Sequence, residues 1–126
     1  MTKLKILIAE DEDVTCQLYQ IAFREEKYEI RLVKNGEDAL TAYKSWQPDI
    51  IILDIMMPEM NGYRTLETLR ITLKDKTTSV IMATAVSDKK EIIACAKLGI
   101  QGYIVKPFQT KTLAETVVGY HRGAKK

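Results

Sequence analysis

Three carboxylates stand in this sequence where apolar segments end. Glu10 and Asp11 follow the run LKILIA, and Asp54 follows IIIL directly. Thr84 stands behind VIMA and Lys106 behind YIV. If the five converge, their chemistry is constrained by charge. Two carboxylates roughly 5 Å apart repel by about 3 kcal/mol at an effective dielectric of about 20. A cluster of three raises its own pKa values or recruits a counter-charge, and Lys106 supplies only one. A divalent cation would restore the balance, and all-oxygen ligation selects a hard ion such as Mg²⁺. Mg²⁺ keeps several waters and bridges one or two carboxylates to phosphoryl oxygens. The pattern points to phosphate handled on an acidic platform.

Taken singly, each residue has a plainer reading. Asp11 or Asp13 alone would be a helix cap or turn former. Thr84 alone would be a loop hydroxyl, Lys106 before Pro107 a solvated lysine, and Tyr103 a half-buried strand residue. Asp54 fits this plainer reading poorly, because Met56, Met57 and Pro58 follow it and Pro58 disfavours a helix starting there. Other phosphate-binding designs lack their signatures. There is no G-x-x-x-x-G-K-[ST] loop, and no G-x-G-x-x-G follows the first apolar run. An anionic phosphate held by the first loop alone, as in a flavodoxin, would be repelled by EDED. The single histidine, His121, leaves little for histidine-based catalysis, and Cys16 and Cys95 lack metal-ligand spacing.

The elements that must position these residues alternate. Strands are predicted at 4–9, 28–33, 50–53, 80–83 and 103–105. Asp13 is expected to cap a helix with an apolar face of Val14, Leu18, Ile21 and Ala22. Asn35-Gly36 precedes a second helix carrying Ala39, Leu40 and Tyr43. PEMNG is turn chemistry before a helix with Leu66 and Leu69. Ser87 or Asp88 opens a helix with Ile92, Ile93 and Ala96, closed by Gly99. Leu113, Val117 and Tyr120 line the last helix. Strict alternation demands crossover connections, hence a parallel sheet covered on both faces. Uninterrupted apolar strands agree, since such strands are buried on both sides. The fold class is a doubly wound α/β sandwich of five strands and five helices. Its ligand edge lies beyond the carboxyl ends of the strands, where Glu10, Asp11, Asp54, Thr84 and Lys106 all fall. Lys34-Asn35, after the second strand, carries no comparable signal.

The chain has 126 residues, 46% hydrophobic and 29% charged, which suits one globular domain. A formal charge of +2 does not argue for nucleic acid or an anionic membrane. With no long apolar run and an acidic N-terminal region, the expected location is cytoplasmic. Residues 1–126 are expected to form one domain, structured over about 4–121, with 122–126 as a frayed tail.

In this order and spacing, ILIAEDE, NGEDAL, DIIILDIMMPEMNG, VIMATA and GYIVKPF resemble the receiver (response regulator) domain of two-component signalling, end to end. The resemblance implies a flavodoxin-like sheet of order 2-1-3-4-5. It implies Asp54 as phosphoacceptor from a histidine kinase or histidine phosphotransfer protein. Mg²⁺ would be held by Asp11, Asp54 and the backbone carbonyl of Met56, with Glu10 acting through a coordinated water; Mn²⁺ or Ca²⁺ could substitute. Lys106 and Thr84 would contact phosphoryl oxygens, and Tyr103 would turn inward as Thr84 moves. A cis Lys106–Pro107 bond is also implied. The switched surface would be the fourth helix, fifth strand and fifth helix, near Lys89, Lys90, Lys97 and Lys111. Its target would be a downstream protein or output domain, and a phosphorylation-dependent dimer stays open.

Two features depart from the commoner pattern. Glu10 replaces an aspartate, with an arm long enough to reach a metal-bound water. Met56 and Val86, two residues beyond Asp54 and Thr84, are apolar and are expected to slow self-dephosphorylation. A Mg²⁺-dependent phosphohydrolase is the competing reading, but Met56 stands where its second acid would be expected. Direct nucleic-acid contact is not expected, because no helix-turn-helix follows the last helix, although a longer parent protein could carry one.

Overall fold

The computed structural model describes residues 3–57, 60–85 and 89–124. The order of elements is β1 (Leu4–Ala9), α1 (Asp13–Ala22), β2 (Tyr28–Val33), α2 (Gly36–Trp46), β3 (Ile50–Asp54) and α3 (Gly62–Glu67). A π-helical turn, Thr68–Thr72, continues α3. Then follow β4 (Ser79–Ala85), α4 (Lys89–Leu98), β5 (Gly102–Lys106) and α5 (Thr110–Ala124). All strand pairs are parallel, in the order β2-β1-β3-β4-β5.

The all-apolar strands make two cores. Leu7, Ile51, Leu53, Val80 and Met82 face α2, α3 and α4, where Ala39, Trp46, Leu66, Leu69 and Cys95 meet them. Their strand neighbours Ile6, Ile8, Ile50, Ile52 and Ile81 face α1 and α5, against Tyr19, Phe23, Leu113 and Val117. Alternate side chains point to opposite faces of a strand, so a sheet covered on both sides needs apolar residues at every position.

The helix ends follow their local chemistry. Asn35 caps α2 by accepting from the Asp38 N–H at 2.8 Å. Asn61 does the same for α3 through the Arg64 N–H at 2.9 Å. Gly99, at φ +106°, closes α4, and its N–H donates to the Cys95 and Ala96 carbonyls. The Lys106–Pro107 bond is cis.

Expectations for two elements, α1 and α5, are corrected. The exposed side of α1 is the one carrying Val14 (70% exposed) and Ile21 (50%), whereas Cys16 and Tyr19 are buried, with Phe23 just past the helix. The aromatic face wins because it buries more area: Tyr19 lies on Phe108 with ring centroids 4.8 Å apart, and Phe23 meets Tyr28 edge-on at 5.4 Å. Asp13 is also not the cap; Glu12 occupies that position without a side-chain bond, and Asp13 pairs with Lys34. The second correction concerns the C-terminus, where α5 runs on through Ala124. His121, inside it, hydrogen-bonds through Nδ1 with Ser79 Oγ at 2.7 Å and fastens the helix to the start of β4. The expected helix opening at Ser87 or Asp88, and the residues Pro58 and Val86, lie outside the described residues. Among the described residues, no helix is long and apolar enough to cross a membrane.

Candidate phosphoacceptor and metal site

Register brings the chemistry to one edge. Ala9 pairs with Leu53, Asp54 with Ala83, Thr84 with Val105 and Ala85 with Lys106. The residues at or just past these pairs are therefore neighbours. Oxygens of Glu10, Asp11 and Asp54 lie within 4.8 Å of one another. Glu10 is fully buried, Asp54 is 4% exposed and Asp11 is exposed. A half-open nest of acids with one outward-facing member suits a cation that must keep waters and admit a ligand.

Lys106 Nζ bonds Asp54 Oδ2 at 2.7 Å and Glu10 Oε1 at 3.2 Å, with Glu12 Oε1 at 4.0 Å. Burial pulls the ammonium pKa down, but the bond to Asp54 and the charges of Asp54 and Glu10 outweigh it, and the net shift is upward. Lys106 stays charged. Glu10 shows the opposite strain. Burial, then the nearby Asp54 charge, push its carboxyl up to about 7, against the Glu12 N–H and Lys106, which pull it down. One lysine does not neutralise the cluster, so a carboxyl of the platform holds a proton near neutrality. A divalent cation would displace that proton, and the donor set fits Mg²⁺.

The remaining residues are placed as follows. The Met56 N–H donates to Asp54 Oδ1 at 3.2 Å, and the Met56 side chain is 65% exposed beside Asp54. Thr84 is buried one residue past the partner of Asp54, with its hydroxyl donating to the Ala85 carbonyl at 3.0 Å. Tyr103 is half exposed and, with Thr84, Lys89, Ile92, Ile93 and Val105, lines a groove of about 370 Å³ between α4 and β5. The structure thus gathers Glu10, Asp11, Asp54 and Lys106 tightly, while Thr84 and Tyr103 stand one step away.

Sequence reasoning assigned no role to Glu12 and Cys16. The Glu12 N–H donates to Glu10 Oε2 at 3.2 Å, and the Cys16 thiol donates to the Glu10 carbonyl at 3.4 Å. Both hold the β1–α1 loop. Neither left a signal beyond sitting near the acids.

The family model for the response regulator receiver domain matches residues 6–118. "Probable transcriptional regulator ycf27" of Porphyridium aerugineum is 36% identical over 113 residues, 90% of this chain and 46% of that protein. The DNA-binding response regulator MtrA of Mycolicibacterium smegmatis is 30% identical, again over 90% of this chain, and 48% of MtrA is covered. The chain spans about half the length of these relatives. Among solved structures, the chemotaxis response regulator CheY4 of Vibrio cholerae superposes with a TM-score of 0.85 at 27% identity, covering 94% of this chain and 99% of that one. The signal receiver domain of a histidine kinase from Syntrophus aciditrophicus gives 0.82 at 31% identity, covering 97% and 92%.

Proposed function

The chain belongs to the response regulator receiver domain family, and we propose that it is a phosphorylation-driven switch whose acceptor is Asp54. The observation that carries this reading is the trio of acids within 4.8 Å, with Lys106 fastened to Asp54 at 2.7 Å. An Asp54 oxygen attacks the phosphorus of a phosphohistidine on a sensor histidine kinase or phosphotransfer protein. The phosphorus–nitrogen bond breaks, and the imidazole leaves with its electron pair. The acyl phosphate adds nearly two negative charges beside acids already crowded. Lys106 is positioned to pair with one phosphoryl oxygen. Thr84 would give up the Ala85 carbonyl to donate to another.

Asp11, Asp54 and the Met56 carbonyl would hold Mg²⁺, with Glu10 acting through a water, and Mn²⁺ or Ca²⁺ could take its place. The ion would supply positive charge against the incoming phosphoryl oxygens. Movement of Thr84 toward the phosphate then draws Tyr103 inward and reshapes the α4–β5–α5 surface, which a protein partner or output domain reads. Residues 1–126 are one receiver domain in this reading.

The test is direct. Incubation with Mg²⁺ and a small phosphodonor should add one phosphoryl group to the wild type, seen by intact mass, and none to Asp54→Asn. A chelator should abolish the gain. Equal uptake by both proteins would remove Asp54 from the role.

A further inference from the structure

The turn after β2 left no chemical signal in the sequence, yet it touches the loop that follows Asp54. The Gly36 N–H donates to the Met60 carbonyl at 3.1 Å. The approach is closer than any side chain allows: a Cβ on Gly36 would come within 2.0 Å of Thr65 Oγ1 and 2.6 Å of the Met60 carbonyl oxygen. Two residues further on, Gly62 sits against the acceptor itself. Its N–H donates to the Ile55 carbonyl at 3.0 Å, and a Cβ there would reach the Asp54 carbonyl oxygen at 2.3 Å. Gly36, Met60, Gly62 and Asp54 thus form one chain of contacts through backbone atoms, which have no rotamers with which to absorb a displacement.

We infer that the Asn35–Gly36 turn is a positioning element for phosphoryl transfer, holding the loop after Asp54 in register from a strand that contributes no reacting group. This rests on Asp54 being the acceptor. Asn35 fixes the turn from the helix side by accepting from the Asp38 N–H at 2.8 Å, so the N-terminus of α2 is the fixed body against which the loop is braced. Pushing the Met60 carbonyl outward moves Gly62. The Ile55 peptide moves with it, and with that peptide go the Asp54 carboxylate and its bond from the Met56 N–H. In-line attack tolerates such errors poorly, since a misplacement of about 1 Å can cost about a hundredfold in rate.

A Cβ on Gly36 would also come within 2.9 Å of Met60 Cγ, a side-chain atom that can shift; the other two clashes separate this role from a purely structural one. Thr65 Oγ1 is a side-chain atom and can be deleted; the Met60 carbonyl cannot. Gly36→Ala should slow phosphorylation by a small phosphodonor about tenfold or more and should also lower the melting temperature. In Gly36→Ala/Thr65→Ala the melting temperature should recover towards that of Thr65→Ala while phosphorylation stays slow. In metal-free protein, the backbone amide signals of Met56 and Gly62 should remain displaced in the double variant. A double variant that phosphorylates as fast as Thr65→Ala, with those amides at wild-type positions, would overturn the inference. If Gly36→Ala does not fold, Asn35→Ala carries the same test, since it loosens the turn without adding bulk: a few-fold slowing is expected, and an unchanged rate would overturn the inference. Wild type that takes no phosphoryl group on Asp54 would instead count against the function on which the inference stands.

Discussion

Glu10 is a fully buried acid whose ordinary carboxyl value of 4.5 is raised to about 7, first by burial and then by Asp54. The sign of its contribution follows. Between these two values the unfolded chain has released the proton and the folded protein still holds it, so stability falls as pH rises through that window and levels off above it. A cation entering the nest must displace the same proton, which couples metal affinity to pH. In the wild type, the Mg²⁺ association constant should climb by up to about tenfold per pH unit below about pH 7, then flatten. Glu10→Gln should remove most of that slope. Calorimetric titration with Mg²⁺ at about pH 5.5, 6.5 and 8 checks both statements. Affinity equally steep in Glu10→Gln would place the displaced proton elsewhere.

At the scale of elements, the π-helical turn after α3 makes the contrast between what sequence carries and what it hides. A buried stripe at helical spacing is expected to continue from Leu66 by three or four residues. It does: Leu69 and Arg70, three and four residues after Leu66, are both buried, so the stripe ends on a charged residue inside the π turn. A charged residue there reads as solvated, yet only 7% of Arg70 is exposed. Its Nε donates to the Gly99 carbonyl at 3.0 Å, Nη1 to the Asp75 carbonyl at 2.8 Å, and Nη2 to the Thr78 carbonyl at 2.9 Å and Gln101 Oε1 at 3.3 Å. Arg70→Met should cost about 3 kcal/mol, because these acceptors lose their donor in a buried place. Ile71→Ser, one residue on at a position 58% exposed, should stay within about 0.5 kcal/mol. The urea midpoint at unchanged slope distinguishes the two; equal midpoints would show that the clasp contributes nothing.

The same reasoning explains which other features were legible. Parallel strands were, because burial on both faces forces every residue in ILI and IIIL to be apolar. The acids were, because nothing in a dry segment explains Asp54. The α1 face was legible only in part: of Val14, Leu18, Ile21 and Ala22, Ala22 packs against the core while Val14 and Ile21 are exposed, and the position of Phe108 in space favours Cys16, Tyr19 and Phe23. The Gly36 brace was hidden for a related reason. Its partner Met60 belongs to another loop, and close approach between two backbones leaves no mark except a glycine.

Across the whole molecule, the two ends of the sheet are built differently. At the amino ends of the strands, side chains fasten the elements: the Lys5 N–H to Asp49 Oδ2 at 2.9 Å, the Ser79 hydroxyl to the His121 ring, and the Arg70 clasp on backbone carbonyls. Asp75 beside that clasp accepts from Thr77, Thr78 and the Tyr43 hydroxyl, and these bonds hold its carboxyl well below the usual range despite burial. The carboxyl ends carry the acids and Thr84, and beside them opens the α4–β5 groove, which half-exposed Tyr103 lines from within β5. In the proposed function, such asymmetry would confine rearrangement to the end that receives the phosphoryl group, since a ligand shifts an equilibrium only through contacts that differ between its states. Thr84, one residue past Ala83, the partner of Asp54, lines the groove and links it to the proposed acceptor. Phosphorylation should therefore slow nitration of Tyr103 by tetranitromethane roughly threefold or more as its ring turns inward, read peptide by peptide. Thr84→Ala should still take a phosphoryl group on Asp54, yet leave Tyr103 as reactive as before. If Tyr103 becomes protected to the same degree in Thr84→Ala, the signal reaches the groove by a route that bypasses the hydroxyl, and the coupling lies in the β4–α4 backbone.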